Sequence, residues 1–209
     1  ALVLLLQEYC CQIRKLKRHT PLKGRRMNSR RKFLTGMLCS SACLASPNVA
    51  SSALFFQKSG DIRKIRFQNS NTGERVNTIY WIEGEYVAEA LEEINYFMRD
   101  WRQNKVMRID TANLDIISAT QTLLDTEEPF ELLSGYRTVK TNKMLAKITA
   151  GVARNSYHIR GMAADIRMRT RSVNQIGRAA EACKSGGVGR YVSSHFVHID
   201  CGPFRRWRQ

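Results

Sequence analysis

Apolar and polar residues alternate through Ile-Arg-Lys-Ile-Arg-Phe at 62–67 and again over 74–81, on either side of the stretch Asn69-Ser-Asn-Thr-Gly73. A period of two on both sides of a turn-forming sequence predicts a β-hairpin. The period then lengthens. Tyr86, Val87, Ala90, Leu91, Ile94, Phe97, Met98 and Trp101 recur at helical spacing, with Glu85, Glu89, Glu92 and Glu93 between them. That stripe predicts an amphipathic helix over 86–101, apolar on the core side and acidic toward water. A second helix is expected over 111–124 with Leu114, Ile117 and Leu124 inward, then a strand at 130–133 and the turn Ser134-Gly135-Tyr136-Arg137. Further on the pattern predicts a helix at 141–148, a strand at 162–168 and a helix at 173–184 ended by Gly186-Gly187. Two last strands are expected at 188–192 and 195–201, before a basic tail, Arg205-Arg206-Trp207-Arg208. Strands and helices mixed in this way, without an internal repeat, predict one α+β domain over 54–209, built on a small antiparallel sheet with helices packed against it.

Composition agrees with a globular chain: of 209 residues, 43% are hydrophobic and 25% charged. Lys and Arg outnumber Asp and Glu by 34 to 18, a net +16 that favours an anionic partner. The charge is unevenly placed. Residues 1–53 hold ten Lys or Arg against the single acid Glu8, so nine of the excess positive charges lie there and seven remain for 54–209. A moderately basic domain with no stacking motif excludes a nucleic-acid binder as the leading reading. Beyond residue 53 only Cys183 and Cys201 remain, too few for a disulfide framework or a cysteine zinc knuckle. They either form one disulfide or stand as independent buried residues.

Residues 1–26 combine a short apolar run at 2–6 with a basic stretch and read as an upstream extension. Met27 opens a tripartite pattern: basic Arg30-Arg31-Lys32 followed by Phe33-Leu34, a mildly apolar stretch, and the small residues Ala50-Ser51-Ser52-Ala53. This is the outline of a signal peptide over 27–53, and its paired arginines resemble the twin-arginine export signal. The apolar stretch is far below the roughly 18 residues of a membrane span. The expectation is an exported, periplasmic, monomeric protein without stable membrane insertion after processing.

The three histidines of 54–209, His158, His195 and His198, all lie in the last quarter of the 209-residue chain, interspersed with Asp165 and Asp200. On a strand over 162–168, Ala163, Asp165 and Arg167 share one face, and His198 and Asp200 share a face likewise. If the two strands are antiparallel neighbours, Asp165 and His198 converge, with His158 arriving from the preceding loop. Two imidazoles and one carboxylate leave a fourth tetrahedral position for water, the pattern of a catalytic zinc site.

The segment Ser156-Tyr-His158-Ile-Arg-Gly161-Met-Ala163-Ala-Asp165 resembles the S-x-H-x-x-G-x-A-x-D signature of zinc D-alanyl-D-alanine metallopeptidases at every fixed position. Val197-His198-Ile199-Asp200 looks like the second ligand strand of that group, and Ser134-Gly-Tyr-Arg137 like its substrate-facing turn. The chain as a whole is similar to YcbK-type murein endopeptidases of the Gram-negative periplasm. The resemblance implies the fold shared by lysostaphin-type, D-Ala-D-Ala peptidase and hedgehog zinc domains, one Zn2+ ion, and hydrolysis of peptide cross-links in peptidoglycan. It makes His158, Asp165 and His198 the ligands and places Tyr136 and Arg137 against the substrate stem peptides. Arg137 then holds a carboxylate or the developing oxyanion, while Ser156 and Asp200 orient the histidines.

One position departs from the pattern. Many relatives carry Glu three residues before the second ligand His, where this chain has His195. An imidazole titrating near pH 6.5 can act as the general base there. Spacing of three along a strand, however, sets His195 and His198 on opposite faces unless the backbone kinks. Two alternatives stay open: a carboxypeptidase releasing terminal D-alanine, and a non-catalytic peptidoglycan-binding protein that keeps its zinc.

Overall fold

The computed structural model describes residues 62–149 and 151–209. The expected extension at 1–26 and leader at 27–53 lie outside them. Strands β1 (Ile62–Asn69) and β2 (Arg75–Ile82) form the hairpin the alternation predicts, and a two-residue strand β3 (Glu85–Tyr86) folds back onto β2. Glu83 and Gly84 both have positive φ, 48° and 92°, as a tight two-residue hairpin turn requires. Tyr86 therefore belongs to a strand rather than to the helix that follows.

Helix α1 (Ala88–Phe97) stops before Trp101. Its glutamates Glu89, Glu92 and Glu93 are exposed as expected. Helix α2 (Thr111–Leu123) starts at Asp110, whose carboxylate accepts from Ala112 N at 3.0 Å. Strand β4 (Phe130–Ser134) leads into helix α3 (Val139–Ile148), capped by Thr138. A 3-10 turn (Tyr157–Arg160) precedes β5 (Ala163–Arg167), and helix α4 (Val173–Ala182) begins with a capping box between Ser172 and Gln175. Strands β6 (Gly187–Tyr191), β7 (Phe196–Asp200) and β8 (Arg205–Arg208) complete the chain.

The sheet is larger than expected and is mixed. It has eight strands in the order β3-β2-β1-β4-β5-β7-β6-β8, with β1–β4 and β6–β8 parallel and the other pairs antiparallel. Two features account for the correction. The first hairpin joins the central strands through β4, and the basic tail is itself an edge strand whose alternate residues Arg205 and Trp207 lie partly buried.

Helix α1 packs on β2, α2 on β1 and β7, and α4 on α2, β6 and β7. Beneath them Phe67, Phe130, Leu132, Ala164, Ile166, Val188, Val197 and Ile199 form one buried cluster. Each large side chain so buried contributes about 1.5–3 kcal/mol relative to exposure. Because side chains alternate along a strand, the neighbours of these core residues, Asp165 on β5 and His198 and Asp200 on β7, face away from the helices. Among the described residues no helix is long and apolar enough to cross a membrane. Cys183 and Cys201 are both free and do not pair.

Candidate active site

Three segments bring the metal-competent residues together. Strands β5 and β7 are antiparallel neighbours with Asp165 directly opposite His198. His158 arrives on the 3-10 turn, where the Ser156 hydroxyl accepts from His158 N at 3.3 Å. Gly161 ends that turn at φ +69°, and a Cβ there would lie 2.5 Å from the Arg108 carbonyl oxygen, so the exit into β5 requires glycine.

His158 Nε2 lies 3.2 Å from both Asp165 Oδ1 and His198 Nδ1, and His198 Nδ1 is 2.8 Å from Asp165 Oδ1. The far side of each ring is committed elsewhere. His158 Nδ1 donates to the Gly135 carbonyl at 2.7 Å, and His198 Nε2 donates to Asp200 Oδ2 at 2.9 Å. These contacts select tautomers that turn one nitrogen lone pair from each ring toward the shared point, beside a carboxylate oxygen. Among the described residues, His158, Asp165 and His198 are the group able to hold a metal ion.

The electrostatics favour positive charge at that point. Burial lowers His158 to about 4 despite the pull of Asp165. Burial also opposes charge on His198, but hydrogen bonds with Asp165 and Asp200 outweigh it and raise that group to about 9. Asp165 is held well below the usual carboxylate range, because His158 and Arg137 overcome the cost of its burial. A site that stabilises a proton between two carboxylates also suits a divalent cation, which displaces that proton on binding. The donor set of two nitrogens and one oxygen fits zinc.

Asp200 is fully buried and strongly held. Its oxygens accept from Gly187 N at 3.2 Å and Gly202 N at 2.9 Å, and from Arg205 at 3.0 and 2.6 Å. Despite burial, its hydrogen bonds with His198 and Arg205 lower it to about 2. Arg137 donates from Nη2 to Asp165 Oδ2 and from Nε to Ser134 Oγ, the latter at 2.7 Å. Its own backbone N–H donates to the His158 carbonyl at 3.1 Å, which ties the 134–137 turn to the 3-10 turn.

A cleft of about 530 Å³ contains this centre, lined by Ser134, Arg137, Ser156, Tyr157, His158, Asp165 and His198 together with Arg102, Tyr191, Phe196, Arg205 and Trp207. Two expected site residues are not brought there. Tyr136 is partly buried against the hydrophobic core and does not line the cleft. His195 is exposed in the turn between β6 and β7 at φ +55°, and it too is absent from the lining, although Ser194 and Phe196 on either side contribute to it. Conversely, the pattern reading left out Arg205 and Trp207. Trp207 packs 5.5 Å from the His198 ring and covers Gly189, where a Cβ would approach the indole to 2.4 Å. The alternation of Arg205-Arg206-Trp207-Arg208 behind a Gly-Pro turn was the available signal of a strand.

An α+β domain whose sheet carries a buried His-Asp-His group able to hold a metal, with an arginine beside it in an open cleft, has the layout of a metallopeptidase. The family model described as "Peptidoglycan L,D-endopeptidase MepK" matches residues 57–207, and the chain belongs to this family. It is 40% identical over 145 residues to "Peptidoglycan L,D-endopeptidase MepK" of Escherichia coli K12, covering 69% of this chain and 80% of that one. It is 37% identical over 147 residues to "Probable peptidoglycan L,D-endopeptidase MepK" of Haemophilus influenzae, covering 70% and 79%. Among solved structures, the Serratia marcescens L-Ala D-Glu endopeptidase ChiX aligns with a TM-score of 0.31 and 16% identity over 45% of this chain and 68% of that one.

Proposed function

We propose that this chain is a zinc-dependent peptidoglycan endopeptidase that hydrolyses peptide cross-links, with the L,D-linkage named for its relatives as the bond cut. The observation that carries the reading is the convergence of His158 Nε2, Asp165 Oδ1 and His198 Nδ1 within 3.2 Å of one another in the cleft. These three atoms would hold the zinc, which when bound would supply Lewis-acid polarisation of the scissile carbonyl and activation of water near neutral pH.

The chain's own residues do the rest. Gly135 and Asp200 fix the two imidazoles in the tautomers that present lone pairs inward. Arg205 and two backbone N–H groups keep Asp200 ionised. Arg137, beside Asp165, is placed to donate to the oxygen on which negative charge develops as water adds to the amide carbon. The C–N bond then breaks, and the protons given up by the added water pass to the departing amine as the carboxylate forms. Ser156 holds the backbone of His158 in the turn that delivers it.

The signal-peptide pattern at 27–53 supports a periplasmic location reached by the twin-arginine route, with residues 54–209 proposed as a monomeric catalytic domain. Such a route delivers a folded domain with its metal already loaded. The seven excess positive charges of 54–209 suit stem peptides that carry carboxylates.

Digestion of purified cross-linked murein tests this reading, with wild type, chelated protein and a His158→Ala variant compared by chromatography and mass. Cross-linked dimers are expected to give way to monomers only with metal-loaded wild type, and the mass of the products identifies the bond. Intact murein in the presence of stoichiometrically zinc-loaded protein would overturn the endopeptidase reading and favour a non-catalytic binding protein.

A further inference from the structure

Three arginines line the cleft, and two of them are already matched by acids: Arg137 by Asp165 and Arg205 by Asp200. Arg102 makes no ion pair among the described residues. It is nonetheless held in place. Its guanidinium lies 4.2 Å over the Trp101 ring, and its loop is fastened to the turn that carries Arg137.

The fastening is extensive. Met98 O accepts from Tyr136 N at 2.8 Å, and Gly135 passes so close that a Cβ there would meet the same oxygen at 2.5 Å. Asp100, 2% exposed, accepts from both the backbone N and the hydroxyl of Thr138 at 2.8 Å with one oxygen and from Arg102 N at 3.1 Å with the other. Asp100 and Lys105 also pair through their backbones and close the loop. An exposed cation on such a platform, stacked on an aromatic ring and without a salt bridge of its own beside a second cation, is organised for an anion that comes from outside the protein.

We propose that Arg102 is a specificity-determining residue that recognises a carboxylate of the substrate peptide next to the scissile bond, making the enzyme selective for cross-links in which that carboxylate is free over those in which it is amidated. This rests on the peptidoglycan endopeptidase reading above. The planar guanidinium donates two parallel hydrogen bonds to a carboxylate, whereas a carboxamide turns its own NH2 donors toward one of them. Arg102 is exposed, and desolvation and the neighbouring Arg137 weigh against its charge while Asp100 favours it, so a bound carboxylate adds a favourable partner that a neutral amide does not.

The test compares two soluble cross-linked peptide dimers, one with its carboxylates free and one with the carboxylate of the cross-linking diamino acid converted to the amide. Wild type is expected to prefer the free form in kcat/KM by roughly ten- to hundredfold, as for a charged hydrogen bond. In Arg102→Gln the ratio is expected to fall to near one, and in Arg102→Lys to an intermediate value. A ratio near one in wild type, or a ratio that persists in Arg102→Gln, overturns the proposal. Calorimetric binding of the same two dimers to zinc-loaded protein separates the two levels of inference. If neither dimer is hydrolysed, the endopeptidase reading fails, and the role of Arg102 is decided by whether the free dimer binds more tightly and whether Arg102→Gln removes that difference.

Discussion

Asp165 and His198 are direct cross-strand partners on β5 and β7, with Oδ1 and Nδ1 2.8 Å apart. The sheet register thus builds two-thirds of the candidate metal site, and a one-residue slip of either strand would turn its side chain into the helix-covered core. Replacing Asp165 by Asn keeps the shape and removes the charge. Asp165→Asn is expected to lose zinc affinity by more than the 10–100-fold typical of an outer-shell change and to lose murein hydrolysis with it. Zinc content after dialysis, read beside an unchanged circular dichroism spectrum, checks this.

Asp200 acts through His198, and its own charge is maintained by Arg205. Asp200→Ala removes the acceptor that fixes the His198 tautomer, and about a 10–100-fold loss of metal affinity is expected. Arg205→Ala leaves the N–H groups of Gly187 and Gly202 on Asp200, so a smaller loss is expected. Competition with a fluorescent chelator gives both values. Equal losses in the two variants would mean that the arginine, rather than the carboxylate, organises this corner.

His195 is the general base that the sequence motif suggests, yet it stands exposed in a left-handed turn and does not line the cleft. General-base catalysis contributes about 10²–10⁴-fold. His195→Ala is therefore expected to lower kcat by less than about tenfold. A loss of a hundredfold or more, measured on soluble cross-linked peptides, would show that the turn rearranges when substrate binds.

The centre was legible because its chemistry follows strand periodicity: Asp165, His198 and Asp200 sit at even spacing within runs whose other members, Ile166, Val197 and Ile199, are apolar. His158 was legible through the motif around it. What the pattern missed lies where periodicity is short or interrupted. Glu85–Tyr86 is two residues long, and its tyrosine also fits the helical stripe that follows. Trp101 fits that stripe too, but the buried Asp100 withdraws the chain into a loop fastened to Thr138. The basic ending reads as a solvated tail until β6 is present to pair with it, because a four-residue edge strand draws its stability from that neighbour.

The Asp100 anchor has a signed pH dependence. Burial opposes its ionisation, but hydrogen bonds from Thr141 and Thr138 prevail and hold it below the usual carboxylate range. The folded protein then binds this proton less readily than the unfolded chain, whose aspartates titrate near about 3.9. The stabilisation is fully present above that pH and drains away as pH falls through and below it. Asp100→Ala, which also orphans two Thr138 donors, is expected to cost about 1–3 kcal/mol at pH 7. Denaturant unfolding at pH 7 and pH 3 should show the gap between variant and wild type narrowing in acid, and a constant gap would assign the loss to packing alone.

Gly189 and Trp207 provide the last test, because they set the wall against which His198 rests. Gly189 pairs with His198 across β6 and β7 and with Trp207 across β6 and β8, and the indole lies in the space where a Cβ would stand. Gly189→Ala must push the ring away, since 2.4 Å is far inside van der Waals contact and an indole does not compress. The displaced ring loses its place 5.5 Å from His198 and opens that side of the centre to water. A fall in kcat/KM is expected for Gly189→Ala and for Trp207→Ala. The double variant should be little worse than either single one, because both changes remove the same wall. Additive losses in that cycle would mean that Gly189 matters for the strand itself rather than for the indole it receives.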